Sequence, residues 1–177
     1  MTLEKHIIDT MKEWQLKIGS LDTGIGLYYP KDSLCGYLGL DEDMENEQLE
    51  QEVENYLNTK APYLGKADVS YAKDRYCIRV DEVGCDYITN QVEEPEFLKL
   101  LLEQLKKQDF EGLKQAFEQY AKDHKTTLAS EQEEDGLGTV FYFADEEVEP
   151  YVYCVEQDGF GITYHRFAKS DYVKLTQ

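Results

Sequence analysis

Positive charge is what this chain has least of. Lys and Arg number 18 against 37 Asp and Glu in 177 residues, a formal net charge of −19. A surface of that sign repels a phosphate backbone, because the counterion release that drives such binding is missing. It also repels anionic lipid. Nucleic acid and membrane are therefore excluded as expected partners. Proline is scarce as well, at 4 residues beside 12 Gly, with 41% hydrophobic residues. That is not the composition of a fibrous or disordered chain. No apolar run approaches the ~20 residues of a membrane span. The N-terminus runs straight into a charged amphipathic pattern with no basic-then-apolar export signal. The four cysteines, Cys35, Cys77, Cys85 and Cys154, include no CxxC pair and sit beside apolar neighbours. They read as reduced, mostly buried small hydrophobes in a cytoplasmic protein.

The residues that are present carry clear periods. Leu3, Ile7, Met11, Trp14 and Ile18 step by three and four and predict one buried helix face, stopped at Gly19. Ile25-Gly-Leu-Tyr-Tyr29 predicts a short strand ended by Pro30. A short helix through Leu38 follows, capped by Asp32 or Ser33 and ended by Gly39. Residues 41–54 hold eight carboxylates and no Lys or Arg, yet Leu49, Val53, Tyr56 and Leu57 keep helical spacing. An acidic helix with one buried stripe is expected.

From Ala67 the period becomes two. A hairpin closing at Lys73-Asp74 opposes Tyr71 to Tyr76, Val69 to Ile78, Ala67 to Val80 and, on the other face, Asp68 to Arg79. Lys-Asp suits a primed turn poorly, so a loop longer than two residues is the alternative there. Residues 95–124 read as two antiparallel helices. The first opens at Pro95 and is the most buried of the chain; the second is capped by Asp109. Residues 139–144, 151–157 and 160–167 read as strands. The last two flank Asp158-Gly159, a register pairing Val155 with Ile162, Tyr153 with Tyr164 and Tyr151 with Arg166. Asp171 is expected to cap a final turn carrying Tyr172 and Leu175. The fold class is α+β, a mostly antiparallel sheet with helices packed on one face. No linker, repeat or composition shift divides the chain, so residues 1–177 are expected to be one domain.

Residues 3–19, followed by Ile25-Gly-Leu-Tyr-Tyr-Pro-Lys-Asp-Ser-Leu34, resemble the opening of an uncharacterised family of bacterial domains of unknown function. Tyr164-His-Arg-Phe-Ala-Lys-Ser-Asp-Tyr172 is similar to the close of the same family. The resemblance implies a bacterial cytoplasmic origin and carries no catalytic residue, ligand or cofactor.

Several constellations invite chemistry. Asp41, Asp43, Glu45, Glu47 and Glu52 fall in an EF-hand register, but Asn46 stands where the sharp-turn glycine belongs, and an acidic helix is preferred. Residues 126–165 hold ten more carboxylates and no Lys or Arg. They are charged loops that keep sheet edges soluble, or an acidic face that steers a basic partner. Cys154 and His165 fall as diagonal neighbours, too few for a zinc site. His6 and His124 suggest nothing. Gly24-Ile-Gly26 and Gly136-Leu-Gly138 lack the third glycine of a dinucleotide loop, and no G-x-S-x-G or H-E-x-x-H occurs. No catalytic, metal or cofactor site is assigned.

The strand tyrosines are either half-buried sheet residues or a recognition surface. The candidate binding surface is Tyr28, Tyr29, Arg79, Tyr153 and His165, with Asp68 and Tyr151 as structural partners of Arg79 and Arg166. The leading expectation is a non-catalytic module that binds a basic protein surface. The alternative is an enzyme or small-molecule binder with a Tyr/Arg/His-lined pocket, and a third is an immunity-type protein neutralising a cationic toxin.

Overall fold

The computed structural model describes residues 1–21, 23–132 and 138–175. The Gly136-Leu-Gly138 motif and carboxylates 133–135 fall wholly or partly outside the described residues. The chain forms two compact units, Met1–Glu94 and Pro95–Gln177. The join, Glu93-Glu94-Pro95, has neither the Gly/Ser bias nor the length that makes a linker visible in composition.

The first unit contains α1 (Leu3–Ile18), β1 (Ile25–Tyr29), α2 (Lys31–Leu38), α3 (Asn46–Lys60), β2 (Asp68–Ala72), β3 (Arg75–Val80) and α4 (Glu82–Gln91). Its strands form an antiparallel sheet in the order β1-β3-β2. Leu27, Tyr29, Val69, Tyr76, Ile78 and Val80 occupy one face of that sheet. They share a core with Leu3, Ile7 and Met11 of α1, Leu49, Val53 and Leu57 of α3, and Cys85 and Ile88 of α4. Gly19 and Gly39 end α1 and α2 in the left-handed conformation, where a missing Cβ removes the steric penalty. At α2 no side chain caps the first turn. The helix begins at Lys31 with Pro30 in the capping position, ahead of Asp32 and Ser33.

The hairpin β2–β3 has the expected register, with Val69 opposite Ile78 and Asp68 opposite Arg79. Its loop is only two residues long, Lys73 (φ 54°) and Asp74 (φ 60°). Both central residues of a primed turn need positive φ. Here the burial of Val69, Tyr76 and Ile78 outweighs the local cost at two non-glycine residues, and Asp74 Oδ1 accepts from the Tyr71 hydroxyl at 3.2 Å. The expected stripe of α1 fails in its last two members: Trp14 is 46% and Ile18 66% exposed. The cause is α4. Lys12, itself buried, donates to the Ile88 carbonyl at 3.1 Å, and Gln15 donates to Thr89 at 3.0 Å. These contacts turn a polar face of α1 toward α4 and leave Trp14 and Ile18 outside.

A row of side chains on α3 closes the outer edge of β2. Asn58 accepts from the Ala67 N–H at 3.2 Å, Glu54 from Val69 N–H at 3.0 Å, and Glu50 from Tyr71 N–H. Asn46 continues the row and accepts from the Tyr76 hydroxyl at 2.7 Å. The match is geometric. Four residues of helix rise about 6.0 Å, and two residues of strand rise about 6.6 Å. An antiparallel helix can therefore serve every outward N–H of the strand with every fourth side chain.

The second unit contains α5 (Glu96–Lys107), α6 (Phe110–Asp123), β4 (Leu128–Gln132), β5 (Gly138–Phe143), β6 (Tyr151–Asp158), β7 (Gly161–Ala168) and α7 (Lys169–Leu175). Its sheet is an antiparallel meander, β4-β5-β6-β7. Asp109 caps α6 as expected, its carboxylate accepting from Gly112 N–H at 2.8 Å. α5 is amphipathic rather than buried all round: Phe97, Leu98, Leu101 and Leu105 are inside, and Pro95 stands one residue before the helix. Phe97, Phe117 and Tyr120 interlock with Phe141, Phe143 and Tyr153 on one sheet face, centroids 4.5–5.8 Å apart. The opposite face is not bare. Val140, Val152 and Cys154 pack with Tyr142, Phe167 and Tyr172 of α7. The fold is thus α+β with antiparallel sheets, but the sheets are two and the second has helices on both faces. α7 begins at Lys169, so Asp171 lies in its first turn instead of before it.

The β6–β7 register differs by two residues from the expected one. Val155 opposes Tyr164, Tyr153 opposes Arg166 and Tyr151 opposes Ala168, so the loop is Gly159-Phe160. Asp158 Oδ1 accepts from Phe160 and Gly161 N–H at 2.8 and 3.1 Å, and Gly161 takes φ +147°. A side chain at 161 would strike Gln108, whose Oε1 accepts from Ile162 N–H at 2.6 Å. A two-residue slip keeps every side chain on its face, so face pairing alone could not distinguish the registers. The turn and Gln108 do.

Replacing Glu54 with Ala leaves the Val69 N–H without its acceptor and is expected to lower stability by about 1–2 kcal/mol, whereas Glu54→Gln keeps an acceptor oxygen and costs less. Urea unfolding midpoints of the two variants check the order. Phe117→Ala removes the ring on which four aromatic contacts converge and is expected to cost about 3–5 kcal/mol by the same measurement.

Candidate functional site

Of the five residues singled out as a binding surface, Tyr29 and Tyr153 are buried, each within its own unit. Tyr153 is fully buried in the aromatic core of the second unit. Tyr29 is 5% exposed on the core face of the first sheet. His165, itself exposed, stands on β7 directly opposite Cys154 rather than diagonal to it, on the sheet face against which Tyr172 packs. Within the first unit, Tyr28 (64% exposed) and Arg79 share a surface, the open face of the first sheet. There Gly26 lies opposite Arg79 and Tyr28 opposite Cys77. Tyr29, Tyr76, Tyr151 and Tyr153 are core residues, whereas Tyr28 and Tyr71 are exposed; a buried tyrosine ring supplies area that a short strand otherwise lacks.

Arg79 and Asp68 are cross-strand neighbours, yet among the described residues they form no ion pair. Arg166 does meet Tyr151, its guanidinium 4.1 Å from the ring centroid. The slipped register makes them diagonal neighbours rather than direct ones. All four cysteines are thiols, and three are buried. Among the described residues no group of three or more His, Cys, Asp or Glu is placed to hold a metal ion. Nor is any helix long and apolar enough to cross a membrane.

The carboxylates separate into two kinds once their partners are known. Glu50 and Glu54 serve β2; Asp145 and Asp158 close turns by accepting from Glu147 and Phe160 N–H. Glu131 accepts from the Tyr142 hydroxyl, and Glu149 is buried. These are structural. Glu42, Asp43, Glu45 and Glu47 are different. All four side chains are exposed, and among the described residues none makes an ion pair or a side-chain hydrogen bond.

The segment that carries them is nonetheless held firmly. Asp41 Oδ1 accepts from Asp43 N–H at 3.0 Å, the Asp41 carbonyl accepts from Met44 N–H at 3.2 Å, and Lys31 Nζ donates to the Met44 carbonyl at 2.6 Å. An ammonium already bonded to a loop carbonyl, and a helix beginning at Asn46, are both at odds with a calcium loop over 41–52. The arrangement presents four unpaired negative charges on a fixed turn and the first turn of α3.

Two polar clusters escaped the sequence reading. His6 Nδ1 lies 2.9 Å from the Tyr29 hydroxyl, with the Tyr37 ring 5.3 Å away. Tyr56 donates to Glu4 Oε2 at 2.6 Å. The only trace of either in the sequence is that Glu4 and His6 lie on the polar side of the first helical stripe, while Tyr56 falls on the apolar stripe of residues 49–57. Residues distant in sequence bring them together. In the second unit, a groove of about 560 Å³ opens between α6 and the β4–β5 strands, with Phe110, Lys114, Ser130, Gln132, Thr139 and Phe141 among its lining. None of the five expected residues lines it.

The Glu4–Tyr56 pair has a titration signature. Accepting that hydrogen bond, Glu4 pushes the Tyr56 phenol up to about 12, with burial adding to the effect. Burial opposes ionisation of Glu4, but the hydrogen bonds from Tyr56, its own backbone and Thr2 together leave its carboxyl below the ordinary range. Tyr56 titrates higher folded than unfolded, so its contribution to stability is complete below pH 10 and is lost as pH rises through about 12. Glu4 titrates lower folded than unfolded, so its contribution is present above the ordinary carboxyl range and is lost as pH falls. Tyr56→Phe is expected to remove one late-ionising phenol from the ultraviolet titration and to flatten the alkaline loss of stability; burial holds Tyr76 at about 12, and its step remains.

No curated protein and no solved structure matches this chain. A family model does, over residues 1–176, and its description reads "Domain of unknown function, E. rectale Gene description (DUF3877)". With that match spanning nearly the whole length and the α+β architecture described above, the chain belongs to the DUF3877 family of domains of unknown function.

Proposed function

We propose that this protein is a non-catalytic binding module whose partner is a basic protein surface, docked on the carboxylates of residues 42–47. The observation that carries the reading is the contrast between the two kinds of acid. Glu50, Glu54, Asp145 and Asp158 are bonded to backbone N–H groups and Glu131 to a hydroxyl; among the described residues Glu42, Asp43, Glu45 and Glu47 are exposed and unpaired on a pinned turn and the first turn of α3. Unpaired like charges held close together repel one another, and a cationic surface relieves that repulsion while being steered to it. A bacterial cytoplasmic setting belongs to the same proposal, supported by four thiol cysteines and the family's E. rectale description.

A second reading, small-molecule binding, is favoured by one observation, the groove beside Lys114 and Phe141. Its size falls within the range of ligand pockets. It would use residues other than Tyr28, Arg79 and His165.

Reversing the four charges (Glu42→Lys, Asp43→Lys, Glu45→Lys, Glu47→Lys) tests the main reading. From a host lysate at low salt the wild-type protein is expected to retain a basic protein that high salt releases. Its association rate with that partner should fall at least about tenfold in the variant. Equal retention by both proteins, or capture that ignores salt, overturns the reading. A thermal shift produced by a small molecule and abolished by Lys114→Ala would favour the second.

A further inference from the structure

We propose that β1 pairs with the β1 strand of a second copy of this chain, joining two three-stranded sheets across a two-fold axis at Leu27. The inference starts from the ladder. The N–H groups of Val69 and Tyr71 point outward to α3, so residues 68, 70 and 72 pair inward with 79, 77 and 75 of β3. Antiparallel ladders alternate. Residues 76, 78 and 80 are then left to pair with 29, 27 and 25 of β1. The backbone groups of Gly24, Gly26 and Tyr28 therefore face away from the sheet. Among the described residues none of them meets a hydrogen-bond partner.

The two edges of this sheet are treated in opposite ways. The β2 edge is served by three side chains of α3, whereas among the described residues β1 carries neither a charge nor a bulge nor a covering side chain. Proline comes only after the strand, at Pro30.

Charge selects the occupant. Residues 23–30 carry no charged side chain in a chain of net −19. The apolar groove at the start of β1, lined by Trp14, Ile18, Leu21 and Ile25, has none either. Among the described residues 23–30 a basic partner finds no carboxylate, while a second copy lays uncharged strand on uncharged strand. The pairing is also self-complementary. Centring it on Leu27 places Gly26 opposite the second copy's Tyr28 and Tyr28 opposite its Gly26, each pair exchanging two backbone hydrogen bonds. On the open face an exposed tyrosine then covers a bare glycine at both positions, an arrangement that stabilises glycine in strands. The same register sets the exposed Pro30 of the second copy beside Gly24, at the mouth of the groove. The contact is isologous and closes at two copies.

This association is independent of the basic partner and of residues 42–47. Its salt dependence has the opposite sign, because added salt screens the repulsion between two copies of net −19. Sedimentation equilibrium of the full chain over a concentration series is the test. The wild-type protein is expected to be a dimer that tightens as salt rises. Tyr28→Pro removes an outward N–H together with the ring that covers Gly26 and leaves the β1–β3 bonds in place, so the dimer should weaken at least about thirtyfold, the loss expected for the two bonds alone. Tyr28→Lys, which keeps the strand intact, should also dissociate it, and circular dichroism checks that both variants fold. A wild-type monomer at all concentrations and salts overturns the proposal. So does a dimer that both variants leave unchanged.

Discussion

The first unit depends on how the outer edge of β2 is satisfied. A three-stranded antiparallel sheet has two edges, and every second backbone N–H along each needs an acceptor. On β2 those acceptors are Glu50, Glu54 and Asn58, delivered at helical spacing by α3. This ties the direction of α3 to the strand. It places Leu49, Val53 and Leu57, which are offset around the helix from the acceptor row, in the core beneath the sheet. It also divides the acidic stretch. The carboxylates one turn apart along the strand become part of the backbone network, and those before the helix, at 42, 43, 45 and 47, are left to solvent. A large negative charge is therefore not one property with one purpose.

In the second unit the corresponding work is done by rings and turns. Phe117 meets Phe97, Phe141, Phe143 and Tyr153, so α5, α6 and two strands are held by one side chain and its neighbours. Edge-to-face and stacked contacts of this kind contribute about 0.5–1.5 kcal/mol each beyond burial. Gln108, in a left-handed conformation between α5 and α6, reaches β7 and accepts from Ile162 N–H. One amide side chain thereby links the helical hairpin to the strand register.

Much of the local structure was legible in the residues. The helix stops at Gly19 and Gly39, the Asp109 cap and the β2–β3 register all follow from local chemistry that tertiary packing does not oppose. α4 was not legible, because its stripe consists of little more than Gly84, Cys85 and Ile88. Nor was the exposure of Trp14, which depends on where α4 packs. The candidate surface was the least legible of all. Tyrosine on a strand alternates between faces, and without knowing which face is covered, Tyr28 and Tyr29 look alike although one is exposed and the other buried.

By itself the sequence determined the α+β class, the types of the elements other than α4 and β4, the faces that the residues of the expected strands share and the sign of the surface charge. These follow from periodicity and composition, which are local or additive. Tertiary structure alone decided the two-residue shift at Asp158, the exposure of Trp14, and which carboxylates of the acidic helix are bonded. Each of those turns on a partner far away in the chain: Gln108 for β7, α4 for Trp14, and the outward N–H groups of β2 for Glu50 and Glu54.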